Sequence, residues 1–349
     1  MPGKTDNKER PVNLADIAEA VGVSMMTVSL ALRDHSRISE KTRRRVREKA
    51  EELGYVRDPE LSRLMAYIRN RKAMKFQANL GFLHCLPHPL SKEANKYLFQ
   101  LYEAAREKAE ELGYSLNVIW LTEKGMSKRR ISQILEARNV QGVLVAPIPH
   151  NLDFQPGDRM DASKVSGVNI GYSVTNPRYS RITVNHYQAI NLAMDKLWEM
   201  GYRRIGLTMD EVSSARVRDL WLAGFASWQY THFHRMRVPP LIIQKDWKAE
   251  IKEWMDDFKP DVVMTQADLT QSTLVELGYS IPGDVGVAYL NANFQRGKVG
   301  GIVQDNRTEG QLAIEYLISQ ILSRRTGPPD NNVTIMVKGV WRPGTTLKD

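Results

Sequence analysis

The residues predict two architectures in one chain: an all-α helix-turn-helix headpiece, then an α/β body of two parallel-sheet subdomains. Three observations carry this. Residues 13–32 hold two short stretches of helical apolar periodicity separated by Gly22. From Ala78 onward, short apolar runs alternate with amphipathic segments of helix length, the pattern of βαβ units whose parallel sheet is covered on both faces. That alternation runs twice, the second series starting at Ile182-Thr-Val184, which suggests two similar subdomains.

Each element has a local reason. Asn13 can cap the first helix, Val21-Gly22-Val23 forms a short apolar turn, and Ser24 can cap a second helix running to about Leu32. Leu14, Ile17, Ala18, Val21, Val23, Val28, Ala31 and Leu32 would pack this pair on a third helix from Ser39 to Leu53, through Val46, Ala50 and Leu53. Two helices joined in this way commonly lay one of them in a DNA major groove. On periodicity alone, a small helical bundle without a DNA role is the alternative. Next, Asp58 and Pro59 suit the cap and first position of a short helix, and the basic stretch Arg69 to Lys75 reads as the end of a linker.

The first α/β series places strands at Leu80–Leu83, Leu116–Leu121 and Gly142–Ala146, with helices near Asn95–Leu112 and Ser127–Arg138. In the second, helices near Gln188–Met200, Arg216–Trp228 and Trp247–Phe258 alternate with strands at Ile205–Thr208, Leu241–Ile243 and Val262–Met264. The expected boundaries are a headpiece over 1–57, a hinge helix and linker over 58–75, and a body over 76–349.

A chain of 349 residues with one cysteine, Cys85, and a net charge of +9 suits an intracellular multidomain protein. No apolar run approaches the roughly 18 residues of a spanning helix, and the first ten residues carry no apolar signal region. A cytoplasmic location with no membrane association is therefore expected. Residues 1–75 hold 17 Lys/Arg against 11 Asp/Glu, an electrostatic footprint for phosphates. Its densest run is Lys41, Arg43, Arg44, Arg45, Arg47 and Lys49, part of which must simply be a solvated helix face.

Leu14-Ala-Asp-Ile-Ala, Gly22-Val-Ser, Thr27-Val-Ser29, Ile38-Ser, Thr42, Val46 and Leu53-Gly-Tyr55 stand in one order that resembles the DNA-binding headpiece of the lac repressor (LacI/GalR) family. Gln188-Ala189, Gly201-Tyr-Arg-Arg-Ile-Gly206, Leu222-Ala-Gly-Phe225, Leu277-Gly-Tyr-Ser-Ile-Pro-Gly-Asp-Val285 and Gln304-Asp305 resemble that family's effector-binding region. The resemblance covers nearly the whole chain. It implies a periplasmic-binding-protein-like α/β effector domain with three crossings between subdomains, one holding roughly 76–183 with 302–330 and the other 184–301 with 331–349.

For DNA, the resemblance places base reading at Met25, Met26 and Leu30. These side chains cannot make bidentate hydrogen bonds to a purine edge, but can pack on thymine methyls. Asn13, Ser24, Thr27, Ser29, Arg33, Arg37, Ser39 and Thr42 stand at or beside phosphate-contacting positions, where hydroxyls and guanidinium groups fix register. Leu61 and Leu64 fall on the counterpart of the family's hinge helix, whose leucines wedge into the minor groove at the centre of a two-fold operator.

For the effector, the resemblance and the strand ends together nominate His84, Arg218, Trp221, Trp247, Asp268 and Asn291. Trp247 matches an aromatic position that packs on the ligand, while Trp221 stands where the family commonly has a ligand-binding arginine; Arg218, one turn earlier, can replace it. Either tryptophan is equally at home in a core. Ala267 and Asn291 stand where the family often has Asn and Asp. The pocket is therefore expected to be more aromatic than a hexose site, suiting a larger or less polar glycan fragment. Pro87 keeps His84 and His88 off one regular helix, and neither a metal nor another cofactor is assigned.

Gly-x-Ser-x-Gly, His-Glu-x-x-His and phosphate-binding glycine loops are absent from the sequence, so no catalytic residue is nominated. The expectation is a DNA-binding transcriptional regulator, a repressor by preference. It would bind a palindromic double-stranded operator as a homodimer and respond to a small-molecule effector such as a sugar. With no leucine heptad after Trp341, a dimer is preferred to a tail-assembled tetramer. The competing class is a sugar-binding protein with no transcriptional role.

Overall fold

The computed structural model describes residues 14–32, 38–53, 78–149, 152–234, 237–293 and 298–348. They fall into two units, divided between Lys75 and Phe76. The candidate residues Asn13, Arg33, Arg37, Leu61 and Leu64 lie outside the described residues, as does the side chain of Ser29.

The described residues of the first unit form three helices: α1 (Leu14–Val21), α2 (Met25–Ala31) and α3 (Glu40–Glu52). Gly22, at φ +72°, makes the turn after α1, a backbone state that a side chain would strain. Ser24 accepts from the Thr27 N–H at 3.1 Å and Ser39 from the Thr42 N–H at 3.3 Å, so both following helices are capped by hydroxyls. Ile17, Ala18, Val21, Val28, Ala31, Val46 and Ala50 form a buried core.

The second unit holds two six-stranded sheets. The first contains β1 (Ala78–His84), β2 (Tyr114–Trp120), β3 (Val140–Val145), β4 (Ser166–Ile170), β5 (Ser180–Val184) and the late β11 (Thr334–Val337), in the order β11-β5-β4-β3-β1-β2. The second contains β6 (Ile205–Asp210), β7 (Leu241–Ile243), β8 (Val262–Thr265), β9 (Gly286–Tyr289), β10 (Gly300–Val303) and β12 (Val340–Arg342), in the order β12-β10-β9-β8-β6-β7. Every pairing is parallel except β10 with β12.

Helices cover both faces. In the first lobe, α4 (Lys96–Glu111) is capped by Asn95 and α5 (Lys128–Ala137) by Ser127; the one-turn α6 (Pro156–Arg159) follows β3. Strand alternation decides the split: Leu80 and Phe82 join Leu101, Leu144 and Leu317 in one cluster, whereas Leu83 joins Ile131, Val143 and Tyr179 in another. The second lobe is built likewise, with α7 (His186–Glu199), α8 (Glu211–Arg216), α9 (Leu220–Phe233), α10 (Trp247–Phe258) and α11 (Asp268–Glu276). Finally α12 (Asn306–Leu322) returns to the first lobe, adding Ala313, Ile314 and Leu317 to its core.

Three sequence expectations differ from the structure. The helix expected over Arg216–Trp228 is two helices, broken where Arg218 and Asp219 take left-handed backbone at φ 54° and 56°. Apolar periodicity runs through the break at Val217, Leu220 and Trp221, so the pattern gave no sign of it. The segment 331–349, expected in the second lobe, is divided, because β11 pairs with β5 before β12 pairs with β10. Conversely β10, which begins at Gly300, keeps 302 and 303 in the second sheet.

Candidate functional site

In the first unit, Met25 and Met26 are 57 % and 74 % exposed at the start of α2, and Leu30 is half-buried. The inward stripe of α2 is filled by Val28 and Ala31, so the two methionines present apolar surface beyond the needs of the core. Ser24 Oγ and Thr27 Oγ1 lie 2.9 Å apart, as do Ser39 Oγ and Thr42 Oγ1, leaving hydroxyl pairs at the N-termini of α2 and α3 where backbone N–H groups and the helix dipole favour an anion. The basic run on α3 is not uniform. Arg45 donates to the Val21 carbonyl at 2.9 Å, completing the end of α1, and Arg44 pairs with Glu48 at 3.6 Å; Lys41 and Arg47 are exposed.

In the second unit, a cleft of about 270 Å³ opens at the carboxyl ends of the strands, where α/β sheets bind ligands. Both lobes line it. Tyr97, Tyr172 and Ser173 come from the first lobe, and His186, Arg216, Trp221, Gln266, Asn291 and Gln304 from the second lobe and its junctions. Trp221 is 2 % exposed and its indole N–H has no hydrogen-bond partner. The His186 ring meets it edge-on, with centroids 5.0 Å apart, and His186 Nδ1 is equally without a partner. Buried polar atoms are normally satisfied, so this cleft wall holds two polar atoms with hydrogen-bonding capacity to spare. Burial, followed by the charge of Arg216, holds His186 down to about 3, so the imidazole is neutral.

The arginines around this wall differ in their bonding. Arg181 donates to the Gly171 carbonyl at 2.8 Å and the Val174 carbonyl at 3.4 Å. Arg216 has one weak contact, to Gln266 Oε1 at 3.4 Å. Arg218 is exposed, with its guanidinium 5.9 Å from the Tyr172 ring centroid and Arg181 at 5.4 Å from the same ring. Behind Tyr97, its hydroxyl donates to Glu309 Oε2 at 3.2 Å, while Glu309 Oε1 has no partner. Burial pushes the Glu309 carboxyl up to about 8, so at neutral pH it is a protonated acid sealed between α4 and α12.

The six nominated effector residues separate. Trp221 and Asn291 line the cleft, and Arg218 stands beside it against Tyr172. His84 does not line it: the ring is 1 % exposed, stacked on Trp120, with Nδ1 accepting from the Leu86 N–H at 3.3 Å. Burial holds it down to about 4. Trp247 packs instead on the cluster of Ile243, Ile251, Trp254 and Leu274, and Asp268 is exposed at the start of α11. Sequence reading missed Tyr97, Tyr172, His186, Arg216, Gln266 and Gln304. Gln266 directly follows a strand end and His186 lies two residues beyond one; β4, which leads to Tyr172, was not recognised, and Arg216 was taken as the start of one long expected helix.

Comparison with known proteins places this geometry. Residues 13–58 match the lacI family of bacterial regulatory proteins, and residues 194–345 match the periplasmic binding protein-like domain. The lactose operon repressor of Escherichia coli is 28% identical over 245 residues, 69% of this chain and 61% of that protein. The HTH-type transcriptional regulator PtxS of Pseudomonas plecoglossicida is 25% identical over 216 residues, 61% of this chain and 58% of that protein. The matches thus span about three fifths of the length of these curated relatives. A solved structure of the lac repressor dimer bound to operator and the anti-inducer ONPF has a TM-score of 0.56 at 21% identity, covering 97% of this chain and all of that one; at this identity the likeness carries the fold. The headpiece segment is thus similar in sequence to the lacI family of bacterial regulatory proteins, and the two-lobed body is similar in sequence to the periplasmic binding protein-like domain and in fold to the lac repressor.

Proposed function

We propose that the protein is a DNA-binding transcriptional regulator, a repressor that binds a two-fold operator as a homodimer and whose DNA affinity is set by a small molecule in the interlobe cleft. The observation that carries this reading is the exposed Met25-Met26 pair at the start of a hydroxyl-capped second helix, within a segment matched to lacI-family headpieces. One such helix covers only a half-site, so a two-fold pair is required for a full one. The solved lac repressor dimer on operator, and the transcriptional regulator CelR in complex with cellobiose (TM-score 0.57, 18% identity), support DNA and a sugar as the two ligands. Met25 and Met26 are assigned to base contacts, Leu30 to their flank, and Ser24, Thr27, Ser39 and Thr42 to phosphates. In the cleft, Trp221, Asn291 and Arg218 are retained as effector residues.

The coupling follows from topology. Three strands of chain join the lobes, after β5, after β10 and between β11 and β12, and the cleft wall is shared between lobes. A ligand touching both walls binds one interlobe angle better than another, and that difference is what it can spend on shifting the DNA-binding state. No catalytic step enters this reading; the relatives are transcriptional regulators.

Selection on random duplex DNA with the full-length chain, followed by footprinting, tests the proposal. A two-fold symmetric consensus, protected by a dimer and weakened steeply by salt, is expected. An asymmetric site protected by a monomer overturns the dimer, and selection of no sequence at all favours a ligand-binding protein without a transcriptional role.

A further inference from the structure

We propose that the cleft ligand is an acidic saccharide longer than one sugar unit, its anionic group held by Arg216 and Arg218 beside Tyr172 and its remainder extending into a second compartment. This rests on the reading of the cleft as an effector site and names the ligand class.

Charge is the first argument. Among the residues lining the inner cleft, Arg216 is the one ionised group, because His186 is neutral and no carboxylate lines the wall. Neither Arg216 nor Arg218 forms an ion pair with a described residue. The neighbouring acids are engaged or neutral. Asp210 accepts from Ser213 N–H and Oγ, Asp219 from Ser214 Oγ, and Asp305 from Thr308 N–H and Oγ1; Glu309 keeps its proton. Three guanidinium groups therefore stand near Tyr172 and His186 without an ion pair to a described residue. Arg181 feels Arg218 as a charge that lowers its basicity, second to burial, and His186 feels Arg216 in the same way. A carboxylate or phosphate placed between Arg216 and Arg218 relieves this repulsion and gains charge-assisted hydrogen bonds.

Buried unmatched donors are the second argument. The Trp221 indole N–H, in a side chain 2 % exposed, needs an acceptor, and the neutral His186 Nδ1 can pair with a hydroxyl as either donor or acceptor. A sugar ring supplies both and stacks its apolar face on aromatic walls.

Shape is the third. A compartment of about 390 Å³ adjoins the inner cleft, sharing Ser173 and Arg216 with it. Ile148, Pro149, Leu152 and Val212 make its walls largely apolar, and Glu211 is the acid that lines it. A ligand therefore directs its anion toward Arg216 and a neutral portion outward past Glu211. Each compartment alone is near the lower bound of small-molecule sites, and the two together suit a disaccharide or longer fragment.

Calorimetric titration of the full-length chain with matched pairs tests this: galacturonate against galactose, glucuronate against glucose, digalacturonate against a neutral disaccharide, and glucose 6-phosphate as the phosphate arm. Each acid is expected to bind at least about tenfold tighter than its neutral partner, with that advantage shrinking at high salt. Digalacturonate should exceed galacturonate. Arg218→Gln should remove the preference for acid, and Arg218→Lys should restore part of it; Trp221→Phe should weaken both members of a pair alike. A preference for glucose 6-phosphate over every uronate overturns the carboxylate assignment. Neutral sugars binding as tightly as acids overturns the anionic ligand and leaves the effector cleft standing, whereas a panel in which nothing binds overturns both.

Discussion

The two units solve opposite problems. The headpiece has a small core, and its candidate contact residues Met25 and Met26 are apolar side chains left in solvent. The body buries large clusters on both faces of two sheets, and its candidate contact residues include polar atoms left without partners inside it, at Trp221 and His186. In each case the candidate residues depart from the local rule, exposed where apolar groups are usually buried or unpaired where polar groups are usually satisfied. The violation costs little in the headpiece, where one methionine on a surface changes hydration alone. In the body it is held by dense packing, because an unsatisfied buried group costs about 1–3 kcal/mol and needs a core large enough to tolerate it.

The sharpest way to break this contrast is at the headpiece core. Ile17→Ala should remove about 2–5 kcal/mol from a unit with few buried side chains, abolishing operator binding and the helical signal of residues 14–53. The thermal transition of the body should remain. Calorimetry with two resolved transitions checks this, and a lowered body transition would mean that the units share stability.

The body's weak point is titratable. Glu309 has a raised pKa, so the stability it contributes is full below its unfolded value near 4.5 and is lost as pH rises through about 8. His186 and His84 are depressed, to about 3 and about 4, so their contribution is present above 6.5 and lost as pH falls toward those values. The opposing trends overlap below 6.5, and between 6.5 and 8 the Glu309 loss stands alone. The body's melting temperature should therefore fall across that window, and Glu309→Gln, which can still accept from Tyr97, should flatten it. An unchanged slope in the variant removes Glu309 as its cause.

Smaller effects sharpen the headpiece side. Met26→Ala should alter preference at one base pair of the half-site, by about 1 kcal/mol, without lowering headpiece stability, since the side chain is 74 % exposed. Selection on random DNA reads this directly, and an unchanged consensus would return Met26 to the ordinary surface. Ser24→Ala should cost about 1 kcal/mol of headpiece stability through the lost cap on α2, weakening all sequences alike.

The headpiece was legible because its information is local. Ser24, Ser39 and Gly22 act within three residues of themselves, and a three-helix core is specified by helical periodicity at Ile17, Val21, Val28, Ala31, Val46 and Ala50. The strands and helices of the body were equally readable where capping and period agreed, as at Asn95 and Ser127. The cleft was read only in part. Trp247 matched the family's aromatic position, yet Ile243, Ile251 and Trp254 draw it into their own cluster. The break at Arg218 and Asp219 is what separates α8 from α9; Asp219 turns its carboxylate back to Ser214 Oγ rather than capping its own helix.

By itself the sequence determined most of the segments that become helices and strands, that a basic helix-turn-helix precedes a doubly covered α/β body, and which α2 side chains the core does not need. These depend on chirality, periodicity and capping, all of which act over a few residues. Tertiary structure alone decided the division of 331–349 between two sheets, the placing of Tyr97, Tyr172, His186 and Arg216 around one cleft, and the sealing of Glu309 between α4 and α12. Those outcomes join residues up to 212 positions apart, and no local preference encodes which distant polar groups will share a wall, or which of them will be left without a partner once the lobes have packed.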